Sequence, residues 1–145
     1  MRHSLGIALL LMAGAACGGD GGTAPPVNVD LTGAWSVTMS PIQGHGIVCQ
    51  ISGLQVQLVH SGNDLGGTYS VADMECNGEH TGPGTGQVVS GTVINGQLHF
   101  HFDTEDFDLH GSIRSADTAA GTYTISVNVS GTVYTFTGSW TARRL

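Results

Sequence analysis

Three histidines and an aspartate fall in two short alternating segments and carry side chains that bind metals. His99 and His101 alternate with apolar residues in the first segment, and Asp108 and His110 do so in the second. A two-residue turn at 104–105 pairs the segments as antiparallel strands, so that His99 faces His110. In the same register His101 faces Asp108, and opposed Cβ atoms are about 5 Å apart. Imidazole and carboxylate groups so placed suit Zn²⁺ or Cu²⁺, and an ordinary solvated surface is the alternative.

The sequence lacks the patterns of a catalytic nucleophile or a phosphate-binding loop. No serine lies in a Gly-x-Ser-x-Gly segment. The glycine-rich segment 82–86 lacks the lysine and the following helix that cradle a phosphate. We therefore expect a protein that is not an enzyme and that needs no cofactor other than a metal at the histidines.

Charge argues against nucleic acid as a partner. Eleven acidic residues outweigh four basic ones, and the formal net charge is −7. The basic residues are all arginines: Arg2, Arg114, Arg143 and Arg144. A protein that binds nucleic acid needs clustered basic side chains to displace counterions from the phosphates.

The first sixteen residues have the pattern of an export signal. Arg2 and His3 precede an apolar run over residues 5–13 that is too short to span a membrane. Small residues at 14–16 lead to Cys17, and this junction resembles the lipobox of bacterial lipoproteins. The resemblance implies that Cys17 becomes the acylated, palmitate-bearing first residue, anchored to the cell envelope and facing the periplasm or in the outer membrane. Cleavage and secretion without lipid is the alternative.

The two other cysteines form an even pair in an exported protein. A disulfide between Cys49 and Cys76 is the default in an oxidising compartment. Residues 17–30 are rich in glycine and then proline, without apolar periodicity, which predicts a flexible tether between the anchor and a folded domain.

Residues 31–145 alternate apolar and polar side chains with period two, and no segment has helical periodicity. Asn95-Gly96 is a strong hairpin signal because both residues tolerate positive φ. The alternation predicts one all-β domain of about eight antiparallel strands. The predicted strands are 33–40, 54–60, 65–72, 87–94, 97–103, 106–114, 120–130 and 132–142.

The two ends of this domain carry a recognisable pair of motifs. Gly33 and Trp35 stand in the first strand, Trp140 stands in the last, and Arg143 and Arg144 follow it. The sequence here resembles the calycin group, which includes lipocalins, fatty-acid-binding proteins and avidins. The resemblance implies an eight-stranded up-and-down antiparallel barrel in which Arg143 or Arg144 stacks on the Trp35 indole.

That topology places both long connections, 41–53 and 73–86, at one end of the barrel. A disulfide between Cys49 and Cys76 would then cross this mouth, while Trp35 and the arginines would lie at the opposite end. The barrel is predicted to bind a small hydrophobic ligand. The predicted lumen residues are Leu54, Val56, Leu58, Tyr69, Phe100, Phe102, Phe107, Leu109, Ile125, Val127, Tyr134 and Phe136.

Two other functions stay open at this point. The same apolar residues would fill a narrow barrel completely, and the protein would then act as an inhibitor or interaction barrel. Bacterial metalloprotease inhibitors resemble the chain in having a small barrel, a Gly-x-Trp motif and one disulfide. The third function is metal binding in the envelope through the surface histidines.

Overall fold

A computed structural model describes residues 29–104 and 106–145. The predicted export signal, Cys17 and most of the tether lie outside the described residues, as does Glu105 of the predicted turn. All regular elements of the described chain are strands, and no described segment forms a helix long and apolar enough to cross a membrane. The strands are β1 (Gly33–Met39), β2 (Ile42–Gly44), β3 (Ile47–Ser52), β4 (Leu54–Ser61), β5 (Asp64–Val71), β6 (Asp73–Cys76), β7 (Glu79–His80), β8 (Gly84–Ile94), β9 (Gln97–Phe102), β10 (Asp106–Ser115), β11 (Thr118–Val129) and β12 (Thr132–Arg144).

Eight of these strands close an antiparallel barrel, which confirms the predicted fold. The order around the barrel is β1-β12-β11-β10-β9-β8-β5-β4, so each barrel strand lies beside the next one along the chain. The first strand pairs with the last, with Met39 opposite Trp140 and Trp35 opposite Arg144, and this pairing closes the sheet. Closure satisfies the backbone groups that an open sheet would leave unpaired at its edges.

The two long connections are not loops: they form a second sheet of four strands, in the order β2-β3-β6-β7. We call this the small sheet. Its central pair places Cys49 opposite Cys76, and the two are joined by the predicted disulfide, with Cα atoms 4.1 Å apart.

The small sheet continues a barrel hairpin. In the pairing of β4 with β5, Ser61 lies opposite Asp64. The same pairing continues without a shift into β3 and β6, where Cys49 lies opposite Cys76. The chain bends only at Gly53, whose φ of 62° is left-handed, and at the facing Ala72. A Cβ atom on Gly53 would lie 2.6 Å from that of Ala72, so a glycine is required at the bend. Strands β3–β4 and β5–β6 are therefore one bent two-stranded ribbon.

The end of the barrel opposite the small sheet is filled by two buried tryptophans. The Trp35 indole donates a 2.9 Å hydrogen bond to the carbonyl oxygen of Leu31. The Trp140 indole donates to the carbonyl oxygens of His110 and Thr122, at 3.1 and 3.0 Å. Both indole N–H groups are thus satisfied in a region from which water is excluded. We call this the tryptophan end.

Candidate functional site

A large cavity lies between the small sheet and the open end of the barrel. Its volume is about 1070 Å³, and we call it the mouth cavity. The small sheet contributes Ile42, Ile51 and Met74 to its lining, and the barrel contributes Phe107 and Phe136. A space of this size at the mouth of a barrel is a common place for a small-molecule site.

A layer of aromatic rings forms the floor of the mouth cavity: Tyr69 and Phe107 line the cavity, and two further rings pack against them from below. The ring centres of Tyr69 and Phe102 are 4.8 Å apart, those of Phe102 and Phe107 are 5.0 Å apart, and those of Phe107 and Tyr123 are 6.4 Å apart. Below this layer the barrel is packed, and the remaining void has a volume of only about 30 Å³. The lumen is therefore hollow above the aromatic floor and filled beneath it.

Two sets of contacts hold the small sheet over the mouth, and a disulfide stiffens the sheet itself. The imidazole of His45 packs edge-on against Tyr134 and Phe136, with ring centres 5.0 and 5.9 Å apart. The Tyr123 hydroxyl hydrogen-bonds the carbonyl oxygens of Ser40 and Pro41, both at 3.1 Å, where the chain leaves the barrel. The Cys49–Cys76 disulfide crosslinks the middle of the small sheet. One wall of the cavity is therefore fixed at several points.

The charge of the mouth cavity is negative among the described residues. Glu79 and Asp103 are the charged side chains of its described lining, and no described basic side chain lines it. Burial, followed by the negative charge of Asp103, raises the pKa of the Tyr69 hydroxyl above its ordinary value. Tyr69 is therefore neutral at physiological pH and keeps its hydroxyl proton.

An ion pair stands at the rim of the small sheet. The imidazole of His80 hydrogen-bonds the carboxylate of Asp73, and Asp73 also accepts a 3.0 Å hydrogen bond from the backbone N–H of Gly82. The hydrogen bond that the His80 ring donates to Asp73, together with the charge of Asp73, raises the pKa of His80, and the same bond lowers the pKa of Asp73. The pair joins β6 to the segment that leads back into the barrel.

The four predicted metal ligands lie together on the outer wall of the barrel. The predicted register is confirmed, with His99 opposite His110 and His101 opposite Asp108. Nε2 of His99 lies 2.8 Å from Oδ1 of Asp108, and Nδ1 of His101 lies 3.2 Å from the same oxygen. Partial burial raises the pKa of Asp108, but the hydrogen bonds and charges of the two histidines outweigh it, and the net shift is downward. We call this group the histidine wall.

The structure divides the predicted lumen residues between the two halves of the barrel. Val56, Leu58, Phe100, Phe102 and Leu109 surround the small void at the tryptophan end, and Leu54 is buried in the core. The other six predicted residues line the mouth cavity: Tyr69, Phe107, Ile125, Val127, Tyr134 and Phe136.

The sequence prediction of two long connections, 41–53 and 73–86, misses the contribution of the small sheet to the cavity. Two turn signals indicate the hairpins of this sheet. Asn77-Gly78 joins β6 to β7, and His45-Gly46 joins β2 to β3, with positive φ at all four residues. Asn-Gly is among the strongest hairpin signals in a sequence.

No family model matches this chain, and no curated protein matches it in sequence. The proposals below therefore depend on the geometry and the chemistry of the chain's own residues.

Proposed function

We propose that the protein is a non-enzymatic binding protein that holds one small apolar molecule in the mouth cavity. The observation that carries this proposal is the cavity of about 1070 Å³ above the aromatic floor. Sites for small molecules occupy about 300–1,000 Å³ and are lined mainly by apolar and aromatic side chains with a few polar groups. The mouth cavity has this character, with Tyr69 and Asp103 as polar groups beside the floor.

The charge of the lining favours a particular class of ligand. A carboxylate buried near Glu79 and Asp103 would meet like charges without a described cation to offset them, which is costly away from water. A neutral head group can hydrogen-bond the Tyr69 hydroxyl instead. An amine would be attracted to the carboxylates and to the aromatic faces of Tyr134 and Phe136. The ligand class that fits is an apolar molecule that is uncharged or carries an amino group.

Three twelve-carbon probes of matched length test both parts of this proposal: dodecylamine, dodecanol and dodecanoate. Each is titrated into the full chain against a neutral fluorescent probe such as N-phenyl-1-naphthylamine. We expect saturable binding of the fluorescent probe at one site and its displacement by the amine and the alcohol at concentrations at least about tenfold lower than by the carboxylate. Tighter binding of dodecanoate than of the other two probes would contradict only the argument from charge, and the cavity would remain a binding site. The absence of saturable binding by every probe would contradict the proposal that the cavity binds a ligand.

A pair of matched substitutions locates the binding. Val127 lines the mouth cavity, and Val127→Trp would fill part of it. Val59 is exposed and is not part of the lining, so Val59→Trp adds the same ring on the outside of the barrel. We expect Val127→Trp to weaken probe binding at least about tenfold and Val59→Trp to leave it unchanged. Equal effects of the two variants would place the probe outside the cavity.

A protein partner is the second candidate function. Val48 of the small sheet and Val133 of the β11–β12 hairpin are exposed apolar residues that do not line the mouth cavity. Exposed apolar surface is typical of interaction sites, and the filled tryptophan end suits a barrel that acts through its outer surface. Binding of a protein that is unaffected by Val127→Trp and abolished by Val48→Asp would favour this function over the first.

The proposed setting is the cell envelope, with the protein anchored through acylated Cys17. The support is the export-type pattern of residues 1–16 and the small residues before Cys17. A relationship to the calycin barrels is likewise proposed. It is supported by the Gly33-x-Trp35 motif and by the position of Arg144 over the indole, 4.7 Å from the ring centre.

A further inference from the structure

The histidine wall is built by the alternation of two neighbouring strands. Phe100 and Leu109 are buried and face each other on the inner side of β9 and β10. The residues that flank them along the strands must therefore point outward, because successive side chains of a strand lie on opposite faces. This places His99 and His110 side by side on the outer surface, with the Asp108 carboxylate next to both.

The ligand atoms of three of these side chains already converge. One nitrogen of His99, one nitrogen of His110 and one carboxylate oxygen of Asp108 all lie within 4.8 Å of one another. The two imidazole rings are stacked, with centres 4.4 Å apart and planes 12° from parallel. Two nitrogens and one oxygen from adjacent strands thus lie close together outside the barrel, although the two rings are stacked and their planes do not yet converge.

We propose that His99, Asp108 and His110 bind one Zn²⁺ ion on the outer wall of the barrel, at a site separate from the mouth cavity. Zinc takes histidine nitrogen at 2.0–2.1 Å and carboxylate oxygen at 2.0–2.2 Å, so ligand atoms around a tetrahedral ion are about 3.3 Å apart. The pair of ligand atoms that is farthest apart must therefore close by about 1.5 Å at most, whereas His99 and Asp108, whose Nε2 and Oδ1 atoms are 2.8 Å apart, must exchange their hydrogen bond for bonds to the ion. The stacked rings must also tilt so that their lone pairs converge. A water molecule would take the fourth position, because three protein ligands leave one open.

His101 serves as a positioning residue for this site. Its Nδ1 hydrogen-bonds the Asp108 oxygen that also contacts His99. Partners that orient a ligating carboxylate or imidazole sharpen the affinity of a metal site. Hydroxyl side chains stand opposite the wall on both neighbouring strands, Thr92 beside His99 and Thr122 beside His110. The four-residue group is therefore surrounded by further polar groups.

Titration calorimetry with zinc chloride tests the proposal on the full chain carrying Cys17→Ser, which removes the thiol that would otherwise compete. Cys49 and Cys76 are joined and offer no thiol. We expect one ion bound per chain. His110→Gln and His99→Gln should each weaken binding at least about 100-fold, and His101→Gln should weaken it about 10- to 100-fold and less than either ligand variant does. Circular dichroism establishes that each variant keeps the strand content of the parent.

The matched control is His45→Asn, because His45 has a φ of 52° and asparagine tolerates that backbone region. It removes an imidazole at the mouth and should leave zinc affinity unchanged. The proposal is overturned if the parent shows no saturable one-to-one binding, or if His110→Gln binds zinc as tightly as the parent. An equal loss in His45→Asn would also overturn it. Loss of binding in His101→Gln as complete as in His110→Gln would overturn the three-ligand set and the positioning role of His101.

Discussion

The guanidinium carbon of Arg144 lies 4.7 Å from the centre of the Trp35 ring. Arg144 also donates hydrogen bonds to the carbonyl oxygens of Thr32, at 2.8 Å, and of Asp30, at 2.6 Å. The side chain therefore joins the last strand of the barrel to the segment that enters the first. Arg143 faces the solvent one residue earlier and makes none of these contacts. Of the two arginines that the sequence suggests for stacking on the Trp35 indole, Arg144 is the one that does so.

Removal of the Arg144 side chain should weaken the tryptophan end. Arg144→Ala loses charged hydrogen bonds and the cation–π contact, and we expect the free energy of unfolding to fall by about 2 kcal/mol. Arg143→Ala is the matched control and should change it by less than about 0.5 kcal/mol. Urea denaturation of both variants measures the difference. Equal effects would remove the structural role assigned to Arg144.

Gly111 is predicted to be intolerant of a side chain. It stands opposite Gly121, and a Cβ atom on it would lie 2.5 Å from both the backbone oxygen of Ala120 and the indole of Trp140. Gly111→Ala should therefore destabilise the protein by about 1–3 kcal/mol through overpacking. Gly84→Ala is the control, since nothing lies within 4 Å of its Cβ position. A thermal melt in which the two variants match would contradict the close packing.

The disulfide should be fully formed and should stabilise the fold. Cys49 and Cys76 of the folded, unreduced protein are expected to resist alkylation until a reductant is added. The bond joins residues that are 27 apart in sequence, and a closed loop of that size contributes about 3.5 kcal/mol in the chain-entropy view. Replacement of both cysteines by alanine should lower the free energy of unfolding by about that amount. Two thiols that label freely before reduction would be incompatible with the crosslink.

His80 should titrate above the ordinary histidine value of 6.5, because its hydrogen bond to Asp73 and the charge of Asp73 stabilise the protonated ring. Proton NMR titration of the His80 ring measures this directly. Asp73→Asn should bring the pKa back towards 6.5, and Glu75→Gln should have a smaller effect, since the Glu75 carboxylate is 4.0 Å from the ring nitrogen. An unchanged His80 titration in Asp73→Asn would show that the pair does not form in solution.

The same pair predicts how the order of the small sheet depends on pH. The folded-state pKa of His80 is raised, so the stability that its protonated ring contributes is complete below about pH 6.5. That stability is lost as the pH rises through the raised pKa. The folded-state pKa of Asp73 is lowered, so its contribution is present above its ordinary 3.8 and is lost as the pH falls through the lowered value. Hydrogen-exchange protection of the β6–β7 hairpin should therefore be greatest between about pH 4 and 6.5. Maximal hydrogen-exchange protection above pH 8 would contradict the predicted direction of this pH dependence.

Cys17→Ser should release the protein from the membrane fraction of cells that express the full chain. Each buried CH₂ group of an acyl chain contributes about 0.8 kcal/mol to membrane binding, and lasting attachment needs two anchoring signals. Fractionation followed by immunoblotting measures the change, with Val59→Ser, at an exposed position of the barrel, as a control that keeps both the proposed anchor and the disulfide. Membrane retention of the Cys17→Ser variant would contradict the lipoprotein interpretation.

The barrel was predictable because its sequence pattern and its turn residues agree. Leu98, Phe100 and Phe102 alternate with polar residues, and burial follows the same alternation in β9. Asn95-Gly96 forms the turn that its residue types demand, with positive φ at both positions. The register of β9 with β10 then followed from pairing the apolar positions, which fixed the neighbours of His99 as well.

The division of the lumen was not predictable from the sequence. Phe102 and Phe107 are both apolar and both point inward, and only their packing with Tyr69 and Tyr123 forms a floor. The cavity above that floor depends on the small sheet, whose four short strands are too brief for a strong alternation. The pairing of Cys49 with Cys76, by contrast, follows directly from the position of the hairpin turn in the sequence. A hairpin turning at Gly62-Asn63 without a slip places Cys49 opposite Cys76.

The unbroken ribbon from Ser61 and Asp64 to the two cysteines also has a consequence for the order of events in folding. A hairpin closes in about 1–10 µs, whereas thiols oxidise in seconds to hours. In a refolding chain whose Cys17 carries no lipid, strand pairing that spreads from the turn places Cys49 opposite Cys76 before oxidation, and this selects the correct pair among the three thiols. Early oxidation products of the refolding chain should accordingly lack bonds to Cys17. A trapped intermediate with a disulfide between Cys17 and either Cys49 or Cys76 would show that oxidation precedes strand pairing.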